Sequence, residues 1–110
     1  MRFFSVGGCT ALAVLVAAWG LAAPAQGREM VKDSMGCFDR STFERLDRLL
    51  YAGERDSFAT IGDEKIAASE CLKLMRGKTV TIEDVAGRLA CARLDPRIDC
   101  VWTWRDVIGN

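Results

Sequence analysis

The sequence predicts an α+β protein: one or two short N-terminal helices packed on a small antiparallel β-sheet and tied by two disulfides. Three observations carry this expectation. Between Ser41 and Gly53 the apolar residues recur at helical spacing. From Cys71 onward the apolar period changes to two, in four short runs separated by turn residues. Four cysteines, Cys37, Cys71, Cys91 and Cys100, remain once an N-terminal leader is set aside, and an even count in a small exported chain reads as two bridges.

A chain of 110 residues holds one small domain at most. Residues 1–25 read as a secretory signal peptide. Met1-Arg2 is a short basic start, Phe3 to Leu21 is mostly apolar, and Ala23-Pro24-Ala25 supplies small residues for cleavage after Ala25. The competing reading is a membrane anchor. The apolar run is near the lower length limit for a span and is broken by Gly7, Gly8 and Gly20, so no stable anchor is expected after cleavage. Cys9 follows Gly8 but precedes the main hydrophobic run, the wrong order for a lipidated cysteine. The chain carries 15 basic and 15 acidic residues, and the leader removes only Arg2, so 14 − 15 leaves a net charge of −1. That balance gives no electrostatic reason to expect nucleic acid or an anionic membrane as partner. The remaining chain, about 85 residues, is near the size at which a core alone yields only a few kcal/mol and staples are needed. The expected location is the periplasm or the extracellular space.

Residues 26–36 are polar and aperiodic and are expected to form a flexible lead. The single domain then runs from 37 to 110, helical over 37–68 and β over 69–108. Ser41-Thr-Phe-Glu44 fits a capping box, and Phe43, Leu46, Leu49 and Leu50 fall on one helical face. Arg45, Asp47 and Arg48 lie off that stripe, and Gly53 is a plausible stop. Asp56 is a candidate cap for a second, shorter helix with Phe58 and Ile61 facing inward; Gly62-Asp63 weakens its continuation. Ile66-Ala67-Ala68 fits either a last helical turn or an extended lead. In the β region, Leu72 and Leu74 alternate with Lys73, and Val80 and Ile82 with Thr79, Thr81 and Glu83, which suits a sheet with one wet face. Gly77, Gly87-Arg88 and Asp95-Pro96 mark short turns, so successive strands are expected to be antiparallel neighbours. Arg105 to Ile108 suggests a single helical turn.

Four cysteines allow three connectivities, and the sequence leaves the choice open. Hairpin geometry ranks them. With a four-residue loop over Asp95 to Ile98, Cys91 lies opposite Trp102 and Cys100 is its diagonal neighbour on the same face; a slightly different register would put Cys91 directly opposite Cys100, and either way the two can bridge. Cys37 would then pair with Cys71, closing a loop of about 35 residues worth about 3–4 kcal/mol in the chain-entropy model. A redox-active pair would call for a motif such as C-x-x-C, which is absent.

Leu72-Lys-Leu74, Arg76-Gly77, Val80-Thr-Ile82, Cys91-Ala-Arg93 and Trp102-Thr-Trp104 follow one another in the order found in bacterial SH3-like domains, which the Cys71 to Ile108 stretch resembles. The whole mature chain is similar to small exported bacterial proteins in which a short helical segment precedes such a barrel. The resemblance implies an SH3-like sheet or barrel and carries over no ligand residue.

The chain has no histidine, the usual general acid or base near neutral pH. Its mature cysteines are expected to be paired, and Ser41, Ser57 and Ser69 lack a histidine partner. Glu83 and Asp84 are adjacent on a strand end, point to opposite faces and read as a solvated turn. No zinc ligand set, calcium loop or glycine-rich phosphate loop is visible. No catalytic residue, metal or cofactor is expected. The binding candidates are Trp102, Trp104, Tyr51 and Arg105, because these residue types dominate interface hot spots. Core packing is the competing role for the two tryptophans. The expected function is a non-enzymatic exported interaction module whose partner is a protein or cell-wall polymer. The alternative is a small periplasmic inhibitor or immunity protein of an exported enzyme, which a loop projecting Asp95 and Asp99 would favour. A hydrolase would instead require two carboxylates converging in a cleft.

Overall fold

Helix and strand periodicities meet at Cys37, where the chain passes from a strand into a helix. The computed structural model describes residues 27–110. The expected signal peptide and Cys9 lie outside the described residues. Strands β1 (Arg28–Glu29) and β2 (Ser34–Cys37) are followed by helices α1 (Arg40–Tyr51) and α2 (Arg55–Ala67). Then come β3 (Cys71–Leu74), β4 (Thr79–Ala86), β5 (Leu89–Arg93) and β6 (Val101–Trp104), with a terminal 3₁₀ turn over Arg105–Val107. Every strand pairing is antiparallel, in the order β1-β4-β5-β6-β2-β3. The fold is therefore α+β, two helices on a six-stranded sheet, with bridges Cys37–Cys71 and Cys91–Cys100.

Three expectations about the sheet need correction. Within the expected flexible lead, residues 28–36 take part in the sheet, and Cys37 ends a strand instead of opening the helical segment. β1 pairs with β4, Met30 is fully buried and bridges Ile108, and β2 lies between β6 and β3. The hidden signal is Gly36: a Cβ there would sit 2.7 Å from Val101 Cγ2 and 3.1 Å from the Trp102 carbonyl, so close strand approach excludes a side chain. Nor do β3 and β4 form a hairpin. The turn between them is held by the lead instead, with the Gly77 amide donating to the Met30 carbonyl and the Arg76 amide to Asp33 Oδ1. Finally, the sheet has no single wet face. Val80 on β4 and Leu74 on β3 share one buried cluster, although the strand order would place them about 19 Å apart in a flat sheet. The sheet therefore curls around that cluster, which Val107 and Ile108 close. The helices cover the opposite face.

The register of the last hairpin matches its turn chemistry, with Cys91 opposite Trp102 and Leu89 opposite Trp104. Trp102 and Trp104 thus face the helices, while Val101 and the fully buried Thr103 point into the curled core. Thr103 keeps its hydroxyl satisfied there by donating to the Met35 carbonyl at 2.8 Å.

Helix α1 is capped by Asp39, whose carboxylate accepts from the Thr42 amide and from the Ser41 hydroxyl; Ser41 is not the cap. Phe43 and Leu46 are fully buried, whereas Leu50 reaches the surface. At its end the Gly53 amide donates to Leu50 and the Glu54 amide to Leu49, with Gly53 at φ +81°, a Schellman close. Helix α2 runs straight through Gly62, which is buried against Met35; a Cβ there would meet the Met35 sulfur at 3.4 Å, an ordinary van der Waals contact. Asp56 lies in its first turn and does not cap it.

Glu83 is not in a turn. It is the extra residue of a β-bulge between Ile82 and Asp84, within β4. The bulge aims it at Arg93, whose guanidinium forks its carboxylate, one arm at 2.8 Å, and also donates to the Ile98 carbonyl. Hydrogen bonding to Arg93 lowers the Glu83 pKa from the ordinary glutamate value. Asp39 and Asp95 are lowered in the same way by their own local donors. A carboxylate with a depressed folded pKa contributes stability that is complete above its unfolded pKa and disappears as pH falls through the folded one. Denaturant midpoints should therefore decline from about pH 5 downward. Glu83→Gln should be less stable at neutral pH but should decline less steeply in acid; parallel curves for the two proteins would remove the Glu83–Arg93 pair from the account.

Candidate functional site

Helix α1 presents Phe43, Asp47 and Tyr51 at intervals of four residues, one row along a single side. Each meets something different at the end of β6 and at the Gly87-Arg88 turn. The Phe43 ring stands edge-on to Trp104 with centroids 4.6 Å apart. Asp47 Oδ1 accepts from Trp104 Nε1 at 2.8 Å, and its Oδ2 accepts from Arg88 Nη2 at 2.6 Å. The Arg88 guanidinium then lies 4.9 Å from the centre of the Tyr51 ring. One carboxylate, 16 % exposed, thereby joins a half-buried indole to a surface arginine. The arginine in turn lies over a tyrosine that is 81 % exposed.

This row is ordered by the fold rather than by the ligand it could take. The β4–β5 hairpin turns in two residues, since Ala86 pairs with Leu89. Its tip is fixed to the end of β6: the Arg105 amide donates to the Arg88 carbonyl at 2.8 Å, and Arg105 Nη1 donates to the Gly87 carbonyl at 3.1 Å. An edge-to-face aromatic pair such as Phe43–Trp104 contributes about 0.5–1.5 kcal/mol beyond burial. The exposed Arg88–Tyr51 stack contributes about 0.5–1 kcal/mol.

Three clefts open around Trp104. The first, about 530 Å³, runs between β1, β4 and the terminal 3₁₀ turn; Arg28, Arg88 and Arg105 stand on its walls. The second, about 320 Å³, lies between α1 and the hairpin tip, with Asp47, Leu50, Tyr51 and Arg88. The third, about 490 Å³, is more apolar and is lined by Met35, Phe58, Ile66 and Met75 among others.

Of the four binding candidates, Tyr51, Trp104 and Arg105 are brought together at the first two clefts. Trp102 is half-buried on the same sheet face but stands apart from them, with the Arg40 guanidinium 5.4 Å from its ring centre. Asp47 and Arg88, which order the cluster, carried no signal as isolated polar residues. Asp47 follows Phe43 by four residues, and that spacing is the trace it leaves in the sequence. Asp95 does not project as a free acid: Arg97 binds it through both backbone and side chain. Among the described residues no trio of His, Cys, Asp or Glu is grouped to hold a metal ion, and no helix is long and apolar enough to cross a membrane. Comparison with protein families, curated proteins and solved structures returns no match to this chain.

Asp47→Ala removes both acceptors and leaves a half-buried indole N–H without its partner, at a cost of about 2 kcal/mol. Asp47→Asn keeps an acceptor for Trp104 and loses only the exposed ion pair, at a cost of about 0.5–1 kcal/mol. Urea unfolding should rank the two in that order, and tryptophan emission should shift to the red in the alanine variant alone. Equal losses would mean that the Trp104 bond does not hold the cluster.

Proposed function

We propose that this chain is an exported, non-enzymatic interaction module that binds a protein or a cell-wall partner through the surface formed by Tyr51, Arg88, Trp104 and Arg105. The observation that carries the reading is Tyr51 itself. A tyrosine 81 % exposed is held against Arg88, which is held by Asp47, which also holds Trp104. Aromatic and arginine side chains fixed before binding lose little conformational freedom when a partner arrives. Export is supported by the leader-like residues 1–25 and by the two disulfides, which persist in oxidising compartments. The resemblance to SH3-like domains belongs to this proposal as well, with the small curled antiparallel sheet as its support. For the inhibitor alternative, which a loop projecting Asp95 and Asp99 would favour, Asp95 is occupied by Arg97 while Asp99 is exposed.

The test uses the oxidised protein immobilised and exposed in parallel to envelope extract and to purified cell-wall polymer. Tyr51→Ser removes an exposed ring and its stack with Arg88 and leaves the core untouched; Arg97→Ser, 88 % exposed on the far loop, is the control. Retention of a specific partner should fall about fivefold or more in Tyr51→Ser and stay level in Arg97→Ser. A partner retained equally by both variants, or none retained by the wild type, contradicts the reading.

A further inference from the structure

We propose that the cleft between β1, the β4–β5 turn and the terminal 3₁₀ turn binds a carboxylate-bearing peptide in extended form. The inference rests on the interaction reading above and names the chemistry of its partner. Three guanidinium groups, from Arg28, Arg88 and Arg105, line this cleft of about 530 Å³, and Asp106 is the one acidic side chain among its lining residues. Among the described residues Arg28 and Arg105 enter no ion pair, while Arg88 is paired with Asp47. Arg105 is nonetheless positioned, because one of its five donors is spent on the Gly87 carbonyl at 3.1 Å. The remaining donors have no acceptor among the described residues. Arginine forks match carboxylates in pairs of parallel bonds, so two unpaired arginines flanking one cleft form a receptor for acidic groups.

The rest of the lining narrows the ligand. Ile82, Ile108 and Trp104 give the cleft an apolar side, which suits a side chain and not a bare anion. Arg88, Trp104 and Asp106 also line the second cleft of about 320 Å³, where Leu50 and Tyr51 stand. A ligand crossing from one to the other passes Arg88 and meets an aromatic or aliphatic surface on either side. An extended chain with acidic and apolar residues in alternation fits that order. The occupant is not the chain's own leader, because residues 1–26 contain no Asp or Glu. An acidic protein segment offers that alternation along an extended chain and is the occupant; the stem peptide of cell-wall polymer, which also carries carboxylates, serves as the comparison.

The experiment titrates the oxidised protein, ¹⁵N-labelled, with two probes. One is a synthetic Glu-Leu-Glu-Leu-Glu peptide; the other is a soluble cell-wall stem peptide. The readout is the Trp104 Nε1–H resonance and the arginine Nε–H resonances. Saturable shifts are expected with the Glu-Leu-Glu-Leu-Glu peptide, weakening as salt rises, and tighter binding of the stem peptide would overturn the proposed occupant. Arg28→Gln and Arg105→Gln should each weaken binding about tenfold. Neither side chain is in the core; Arg28→Gln should keep the wild-type spectrum elsewhere, and Arg105→Gln, which gives up the bond to the Gly87 carbonyl, should differ further only at the hairpin tip. The proposal is also overturned if the acidic peptide does not bind, if a Gln-Leu-Gln-Leu-Gln peptide binds equally well, or if both variants bind like the wild type. A Tyr51-dependent partner in the retention assay, with no peptide binding here, would leave the interaction reading standing and remove this one.

Discussion

The Cys37–Cys71 bridge is the constraint on which the rest of the structure depends. Cys37 is fully buried at the point where β2 pairs with both neighbours, Cys71 on one side and Trp102 on the other. Two residues later Asp39 caps α1, so the bridge fixes where the helix leaves the sheet. The loop it closes contains both helices, a separation of 34 residues. In the unfolded chain that closure removes about 4 kcal/mol of conformational entropy on the loop model. For a domain of this size such a term is a large part of the net stability. The second bridge, Cys91–Cys100, spans 9 residues and fixes only the hairpin that carries Trp102 and Trp104.

The position of the helix then decides what its polar residues do. Phe43 and Leu46 go into the core because the sheet beneath them holds Met35, Leu89 and the two cysteines. Asp47, at the edge of that contact, finds the indole of Trp104 and the tip of the β4–β5 hairpin. The same carboxylate on an unpacked helix would be one more solvated charge. Packing makes it the link between an aromatic pair, buried Phe43 and half-buried Trp104, and an exposed arginine–tyrosine pair. The candidate surface therefore follows from the staple, the helix register and one two-residue turn.

Much of this was legible in residue order, and what was not has a physical reason. Helix α1 is visible from its apolar spacing, and Gly53 ends it as expected. The last hairpin is visible in outline: the turn at Asp95-Pro96 puts Cys91 and Cys100 on one face, but two registers satisfy that, and the structure adopts the one with Cys91 opposite Trp102. Local turn signals say where a chain bends but not which strand it will meet. Gly77 does mark a bend, yet β3 goes to β2 and β4 goes to β1 and β5. β2 itself was invisible, because Ser34-Met-Gly-Cys37 has no alternation and its glycine reads as a breaker until Val101 and Trp102 are placed against it. Glu83 failed for a related reason: a single bulge turned a residue read as solvated toward Arg93. Within the site, the aromatic residues were readable by type, whereas Asp47, Arg88 and Arg28 take their meaning from contacts separated by tens of residues.

The oxidised connectivity is the claim that everything else requires. Proteolysis of the purified protein without reductant, followed by mass spectrometry of the linked fragments, measures it directly. The account predicts two cross-linked species, one joining the peptides of Cys37 and Cys71 and one joining those of Cys91 and Cys100, with no free thiol among these four. Free cysteines, or Cys37 joined to Cys91 or Cys100, would contradict it, because the helices could not then sit where Asp47 meets Trp104.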